Sequence, residues 1–178
     1  MALLNKYTYI NNILSKDELN ILWQYGKLFH EVNFTKFEDK QTKLGETYRY
    51  GHPITDGVLL LKKDMIASHV NKKFLPSYSF WRMYNKFSTL NKHTDRKACE
   101  YTVSITIAQD KKWPLFIDGE EIDIKPGDGV IYQGAKFDHW REEYEGDYNM
   151  QLFLHYVDAE GEFKDYIYDK RPRLGVTN

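Results

Sequence analysis

The sequence contains a single cysteine, Cys99, among 178 residues. One thiol cannot make an internal disulfide, so a reducing, intracellular setting, the cytoplasm, is the expectation. Long apolar runs are missing too. No stretch approaches the roughly 18 residues that a membrane-crossing helix needs, and Met1-Ala2-Leu3-Leu4 is too short for a secretory signal. Neither sign of charge dominates, since 25 basic and 26 acidic residues leave a formal net charge of −1. That balance gives no reason to expect nucleic acid or an anionic membrane as a partner. Internal repeats and low-complexity segments are also lacking.

What the chain does have is aromatic side chains, 16% of it with 14 Tyr. Rings pack well on pleated surfaces, which favours a β-rich fold, but they equally suit a ring-lined cleft. The length suits one domain, residues 1–178, with a core of its own.

The hydrophobic period divides the chain in two. Tyr7-Thr8-Tyr9-Ile10 reads as an entering strand. Ser15 followed by Glu18 is a capping box, and Leu19, Leu22, Trp23 and Gly26 at helical spacing predict a helix from Lys16 to Phe29. Asp56 is placed to cap a second helix, whose stripe of Val58, Leu59, Leu61, Met65, Ile66 and Val70 should end near Lys73. His69 on that helix reads as surface or core filling. Between the helices, residues 31–56 are charged and broken, and loops of that length are functional or disordered as a rule. Tyr48-Arg49-Tyr50 is a candidate lid over a pocket, or equally part of a solvated excursion. Residues 1–75 are thus a helical support with a candidate lid.

From Pro76 the period falls to 2. Strands are expected over Phe80–Tyr84, Glu100–Ala108, Trp113–Ile117, Glu121–Ile124, Val130–Tyr132, Lys136–Arg141 and Met150–Val157. Asp118-Gly119 marks a hairpin, and Pro126-Gly127-Asp128-Gly129 another turn. With Tyr7–Ile10 that makes about eight short strands, which predict an antiparallel sandwich or barrel with its core in 76–158, in a mainly β (α+β) fold with the helices packed outside it. Residues 159–178 read as a polar tail that docks or frays.

Most of the chemistry lies in Asn91-Lys92-His93-Thr94-Asp95-Arg96. His93 and Asp95, two residues apart, project from the same side of an extended backbone. Asp138-His139-Trp140 is the best source of a third ligand. Two histidines and one carboxylate on a face of an octahedral metal leave three positions open, the arrangement of non-heme Fe(II) oxygenases. Each element alone is weak, because a His-x-Asp triplet arises by chance and a lone strand histidine is more often a satisfied polar group. Their order adds weight: the triplet precedes the long alternating strand, and His139 follows a turn and one strand, 44 residues after Asp95. Of the other histidines, His30, His52 and His69 lie in the helical and lid region, and His155 sits on the last strand, where it could face the interior.

Tyr84, His93-Thr94-Asp95-Arg96 and Cys99-Glu100-Tyr101 with the strand that follows resemble the Fe(II)/2-oxoglutarate-dependent dioxygenases, above all their prolyl 4-hydroxylase-like branch. Pro126 to Tyr132 and Asp138-His139 resemble the turn and strand that deliver that family's distal histidine. The likeness covers residues 76–158. It implies a double-stranded β-helix (jelly-roll) core with supporting helices on one sheet. It further implies Fe(II) held by His93, Asp95 and His139, with 2-oxoglutarate chelating the iron and O2 as oxidant. The implied activity is hydroxylation of an unactivated C–H bond of a small-molecule or peptidyl substrate, with release of succinate and CO2. Tyr84 matches the tyrosine that hydrogen-bonds the co-substrate.

One position departs from the pattern. The family's prolyl hydroxylases usually carry Lys or Arg ten residues after the distal histidine, and here that residue is Asn149. A buried carboxylate needs a cation, preferably a guanidinium. Arg141 is the nearest supply, although it also reads as a strand-end arginine paired with Glu142 or Glu143. Gln151 can add a hydrogen bond, and Arg82 and Arg96 rank behind. On the substrate side, Arg96, Tyr48, Arg49 and Tyr50 are candidates, while Trp140 reads as wall packing. The competing class is a non-catalytic jelly-roll or cupin-like binding module, for which Asn149 is the motive. A cupin-type sugar isomerase is disfavoured by the lack of a His-x-His pair.

Overall fold

Helix α1 (Lys16–Asn33) starts at the expected capping box. The Glu18 N–H donates to Ser15 Oγ (3.2 Å) and the Ser15 N–H to Glu18 Oε2 (2.8 Å), so two otherwise orphaned donors are satisfied. The helix runs four residues past the expected end at Phe29. Gly26 on its inner stripe has a packing role, since a Cβ there would overlap Met150 Sδ. Helix α2 (Pro53–His69) opens on Pro53 instead of an Asp56 cap, and ends before Lys73. Proline suits the first turn because its missing N–H would have no partner there. Asp56 sits inside that turn, buried, and accepts from the Ser79 N–H (3.1 Å), the Ser79 hydroxyl (2.7 Å) and the Gly175 N–H (2.8 Å).

The computed structural model describes residues 6–33 and 46–176. Its strands are β1 (Tyr7–Ile10), β2 (Thr47–Tyr50), β3 (Phe74–Asn85), β4 (Leu90–His93), β5 (Tyr101–Gln109), β6 (Leu115–Ile117), β7 (Glu120–Ile122), β8 (Gly129–Tyr132), β9 (His139–Arg141) and β10 (Tyr148–Asp158). They form two antiparallel sheets, one ordered β1-β8-β5-β10-β3-β2 and the other β4-β9-β6-β7. Short 3-10 turns at Lys97–Cys99 and Lys164–Lys170 complete the described chain. The β6–β7 hairpin forms at Asp118-Gly119 with positive φ at both residues, 47° and 85°, as a primed two-residue turn requires.

Alternation along the long strands separates two environments. Trp81, Met83, Val103, Ile105, Leu152 and Leu154 bury against Leu22 of α1 and Leu59 and Ile66 of α2. On the other face of the same sheet stand Phe80, Arg82 and Tyr84 of β3, Thr102 of β5, and Phe153 and His155 of β10, lining a cleft between the sheets. The four-stranded sheet covers part of that face through Leu115, Ile117 and Ile122, packed on Val130 and Tyr132.

Two readings left open by the sequence are decided. Tyr48-Arg49-Tyr50 is no lid: it is edge strand β2, with Tyr48 opposite Arg82 and Tyr50 opposite Phe80. The candidate-lid residues 34–45 lie outside the described residues. The tail docks, because Arg171 is buried with Nη2 3.6 Å from Asp56 Oδ2 and Nε donating to the Tyr168 carbonyl (2.9 Å). No described helix is long and apolar enough to cross a membrane.

Candidate metal centre

Strands β4 and β9 pair so that His93 and His139 are direct cross-strand partners, with ring centroids 4.3 Å apart. Asp95 lies just beyond the end of β4, and its N–H donates to the Gly134 carbonyl (2.9 Å). This tie to the β8–β9 connection turns the carboxylate towards both imidazoles. Asp95 Oδ1 stands 3.5 Å from His93 Nε2 and 3.6 Å from His139 Nε2. Atoms at adjacent corners of one first-row metal, bound at about 2.1 Å, lie roughly 3 Å apart, and the ligand atoms of the three residues all lie within 4.8 Å of one another.

The other imidazole nitrogens are already engaged. His93 Nδ1 is 2.6 Å from the Asn91 carbonyl, and His139 Nδ1 is 3.0 Å from the Phe137 carbonyl. A carbonyl only accepts, so both Nδ1 atoms carry hydrogen and both Nε2 lone pairs point at the shared centre. Metal-binding histidines are oriented in this way. Burial works against a charged Asp95, but the adjacent His139 and His93 outweigh it and hold the carboxyl well below the ordinary range. Burial likewise opposes charge on His93, yet its contact with Asp95 leaves its pKa raised. The centre thus sets one anionic carboxylate against two imidazole nitrogens, a donor set that fits a divalent cation.

The cleft beside the triad is walled by rings, among them Tyr78, Phe80, Tyr84 and Phe153. Tyr84 lines the cleft and is fully buried, its ring meeting Trp113 edge-on (4.8 Å). Arg141 is buried too, 1% exposed. It is not a surface arginine paired with Glu142 or Glu143. Its guanidinium donates to the Trp113 carbonyl and, at 3.2 Å, to Gln151 Oε1. Its Nε makes no hydrogen bond, and among the described residues no carboxylate lies within ion-pair reach. Burial pulls its pKa down to about 10, which still leaves a cation at neutral pH.

Asn149 stands in the interior where the family pattern has a cation. Its Nδ2 donates to Gln109 Oε1 (3.1 Å), and its Oδ1 accepts from Gln151 Nε2 (2.7 Å). Gln151 thus links Asn149 to Arg141. Arg82, which sequence reasoning ranked lower, lines the cleft directly, opposite Gln151 in register and 3.8 Å from Glu46 Oε2.

The substrate-side candidates are only partly gathered here. Tyr48 and Tyr50 share the cleft face of β2, Tyr48 stacking on Phe80 (5.6 Å) and Tyr50 meeting Tyr78 (4.7 Å). Arg49 turns the other way, over the Phe29 ring. Arg96 is held outside by a two-pronged ion pair with Asp169. Trp140 stacks on Phe116 (5.1 Å), as wall packing predicts. Sequence reasoning missed Thr102, which donates to Asp95 Oδ2 (2.8 Å). The alternation of β5 already put that hydroxyl on the polar face.

By sequence, no family model and no curated protein matches the chain. By structure, matches are many. A Pseudomonas putida prolyl-4-hydroxylase superposes with a TM-score of 0.67 at 13% identity, covering 87% of this chain and 94% of its own. The viral collagen prolyl hydroxylase of Paramecium Bursaria Chlorella virus-1, solved with 2-oxoglutarate, gives 0.64 at 12%, covering 86% and 96%. SnoK, a non-heme alpha-ketoglutarate-dependent carbocyclase from nogalamycin biosynthesis, gives 0.69 at 12%, covering 86% and 80%. The fold is the one these oxygenases share. At such identities the likeness speaks for the fold alone, so what this chain does must be argued from its own side chains.

Proposed function

We propose that this protein is an Fe(II)- and 2-oxoglutarate-dependent oxygenase with a jelly-roll core, which hydroxylates an unactivated C–H bond. The observation that carries the reading is the convergence of His93 Nε2, His139 Nε2 and Asp95 Oδ1, with both Nδ1 atoms fastened to carbonyls. Three ligands on one face suit Fe(II) and leave the cleft side open. Together Fe(II) and 2-oxoglutarate supply the activation of O2, which couples loss of CO2 and formation of succinate to oxidation of the substrate.

The chain's own residues do the holding. Arg141 offers the far carboxylate of 2-oxoglutarate a desolvated guanidinium whose Nε has no partner, and Gln151 keeps that guanidinium in place. Tyr84 adds a hydroxyl at the inner end of the cleft. Arg82 lines the cleft and is the second cation for that carboxylate. Phe80, Phe153 and Tyr78 exclude water around the target bond, and the cleft accepts a small molecule or one extended residue of a peptide. Proline, free or peptidyl, is the first substrate to try, by analogy with the prolyl hydroxylases of like fold.

Anaerobic addition of Fe(II) and 2-oxoglutarate should give a weak visible charge-transfer band, absent in Asp95→Ala. Calorimetry should show Fe(II)-dependent 2-oxoglutarate binding. Neither band nor binding, in a protein that is folded by circular dichroism, would leave the reading without support and return the chain to the binding-module class.

A further inference from the structure

The carboxylate of Asp95 has two oxygens, and the structure gives them different partners. Oδ1 faces the two histidine Nε2 atoms, while Oδ2 accepts a hydrogen bond from the Thr102 hydroxyl at 2.8 Å. A hydroxyl has one proton to give. Since a charged carboxylate can only accept, the Thr102 proton is committed to Asp95. His155 Nδ1 lies 3.1 Å from the same Thr102 oxygen, so Nδ1 must be the protonated nitrogen and the donor. The relay therefore has one direction, from His155 to Thr102 to Asp95.

The sheet builds this relay. Thr102 and His155 are cross-strand partners on β5 and β10, and Tyr78 from β3 packs on the imidazole with centroids 4.4 Å apart. Gly134 makes the room. A Cβ there would overlap Asp95 Oδ2 and come within 2.5 Å of Thr102 Oγ1, while the Gly134 carbonyl holds the Asp95 N–H.

We propose that Thr102 and His155 are positioning residues that tie back Asp95 Oδ2, so that the metal meets Asp95 through Oδ1 alone. The inference rests on the metal reading above. A carboxylate binding through both oxygens would fill a position that a three-ligand face leaves open for co-substrate or O2. Outer partners of metal ligands typically change metal affinity or activity by ~10–100-fold when removed. The far end of the relay also has a use: His155 lines the cleft, and its unprotonated Nε2 offers an acceptor to an O–H or N–H of the substrate.

The test uses the full chain with Mn(II), and with Fe(II) plus 2-oxoglutarate without oxygen. Thr102→Val removes the hydroxyl at constant shape, and Thr102→Ser restores it. Thr102→Val should weaken Mn(II) binding by about ten-fold or more in calorimetry and shift the charge-transfer band, and Thr102→Ser should recover both. Gly134→Ala should shift the band in the same sense, and His155→Phe should give a smaller change. Circular dichroism of each variant checks that it is folded. Wild-type affinity and an unshifted band in Thr102→Val would overturn the relay while leaving the oxygenase reading intact. Failure of the wild-type protein itself to bind metal would overturn both.

Discussion

At the residue scale, Arg141 poses a choice between stability and function. A guanidinium buried without an acid costs desolvation that its hydrogen bonds to Trp113 and Gln151 only partly return. Replacing even a buried ion pair with apolar side chains of similar volume is often stabilising by about 1–4 kcal/mol, and a charge without its acid has less attraction to lose. Arg141→Met should therefore melt higher than the wild type when metal-free, yet lose 2-oxoglutarate binding while keeping Mn(II) affinity. A variant that melts lower and still binds 2-oxoglutarate would show the arginine to be structural. His155 makes a second case. Burial holds its pKa down to about 4, against an ordinary 6.5, with Arg96 and His139 pushing the same way and Asp95 and Asp169 opposing. The unfolded chain takes up this proton at the higher pH, so the stabilisation is complete above 6.5 and is lost as pH falls from there towards 4. That loss, up to about 3 kcal/mol, should shrink in metal-free His155→Phe, as read by urea denaturation across the interval. The triad was legible because two of its members are two residues apart and the third follows a turn signal. The relay was not, because Thr102 and His155 meet across strands 53 residues apart.

At the element scale, the least legible piece is the clamp that joins α2, β3 and the tail. Asp56 looked like a helix cap because it is an acid at the start of an apolar stripe, and the first turn of a helix does favour that charge. The cap position fell instead to His52, with Pro53 starting the helix. Asp56 is freed to accept from Ser79 and Gly175 and to face Arg171. These partners lie 23 to 119 residues away, and no local pattern encodes such separations. For the same reason a lid and a solvated excursion stood equally open for β2: Tyr48-Arg49-Tyr50 alternates too briefly to announce a strand until β3 offers its edge. Removing the acid should be costly, because Arg171 then stays buried unpaired. Asp56→Ala should lose about 3–5 kcal/mol in chemical denaturation, and Asp56→Asn less. A loss under 1 kcal/mol in Asp56→Ala would mean that the tail is held by its backbone contacts alone.

At the scale of the whole molecule, the two sheets differ in what holds them. The larger sheet contains strands of 12, 11 and 9 residues and carries both helices, and its apolar alternation made it readable from the sequence. The smaller sheet consists of strands of three or four residues, and it supplies His93 and His139. Short strands with few buried neighbours open at lower free energy than a central sheet. The metal centre bridges this weaker part to the stronger one, since Asp95 is tied to Thr102 on β5. Binding of Mn(II) with 2-oxoglutarate should accordingly stabilise the fold by about 2.7 kcal/mol at a hundred-fold excess over the dissociation constant. The gain should also be uneven. Hydrogen exchange should slow most at β4 and β9, around His93, His139 and Trp140, and least in the middle of β3 and β10, which already open only with global unfolding. Asp95→Ala should abolish both the shift in melting temperature and this pattern. Equal protection of both sheets on loading would mean instead that the roll unfolds as one unit and that the metal does no more than add to its total stability.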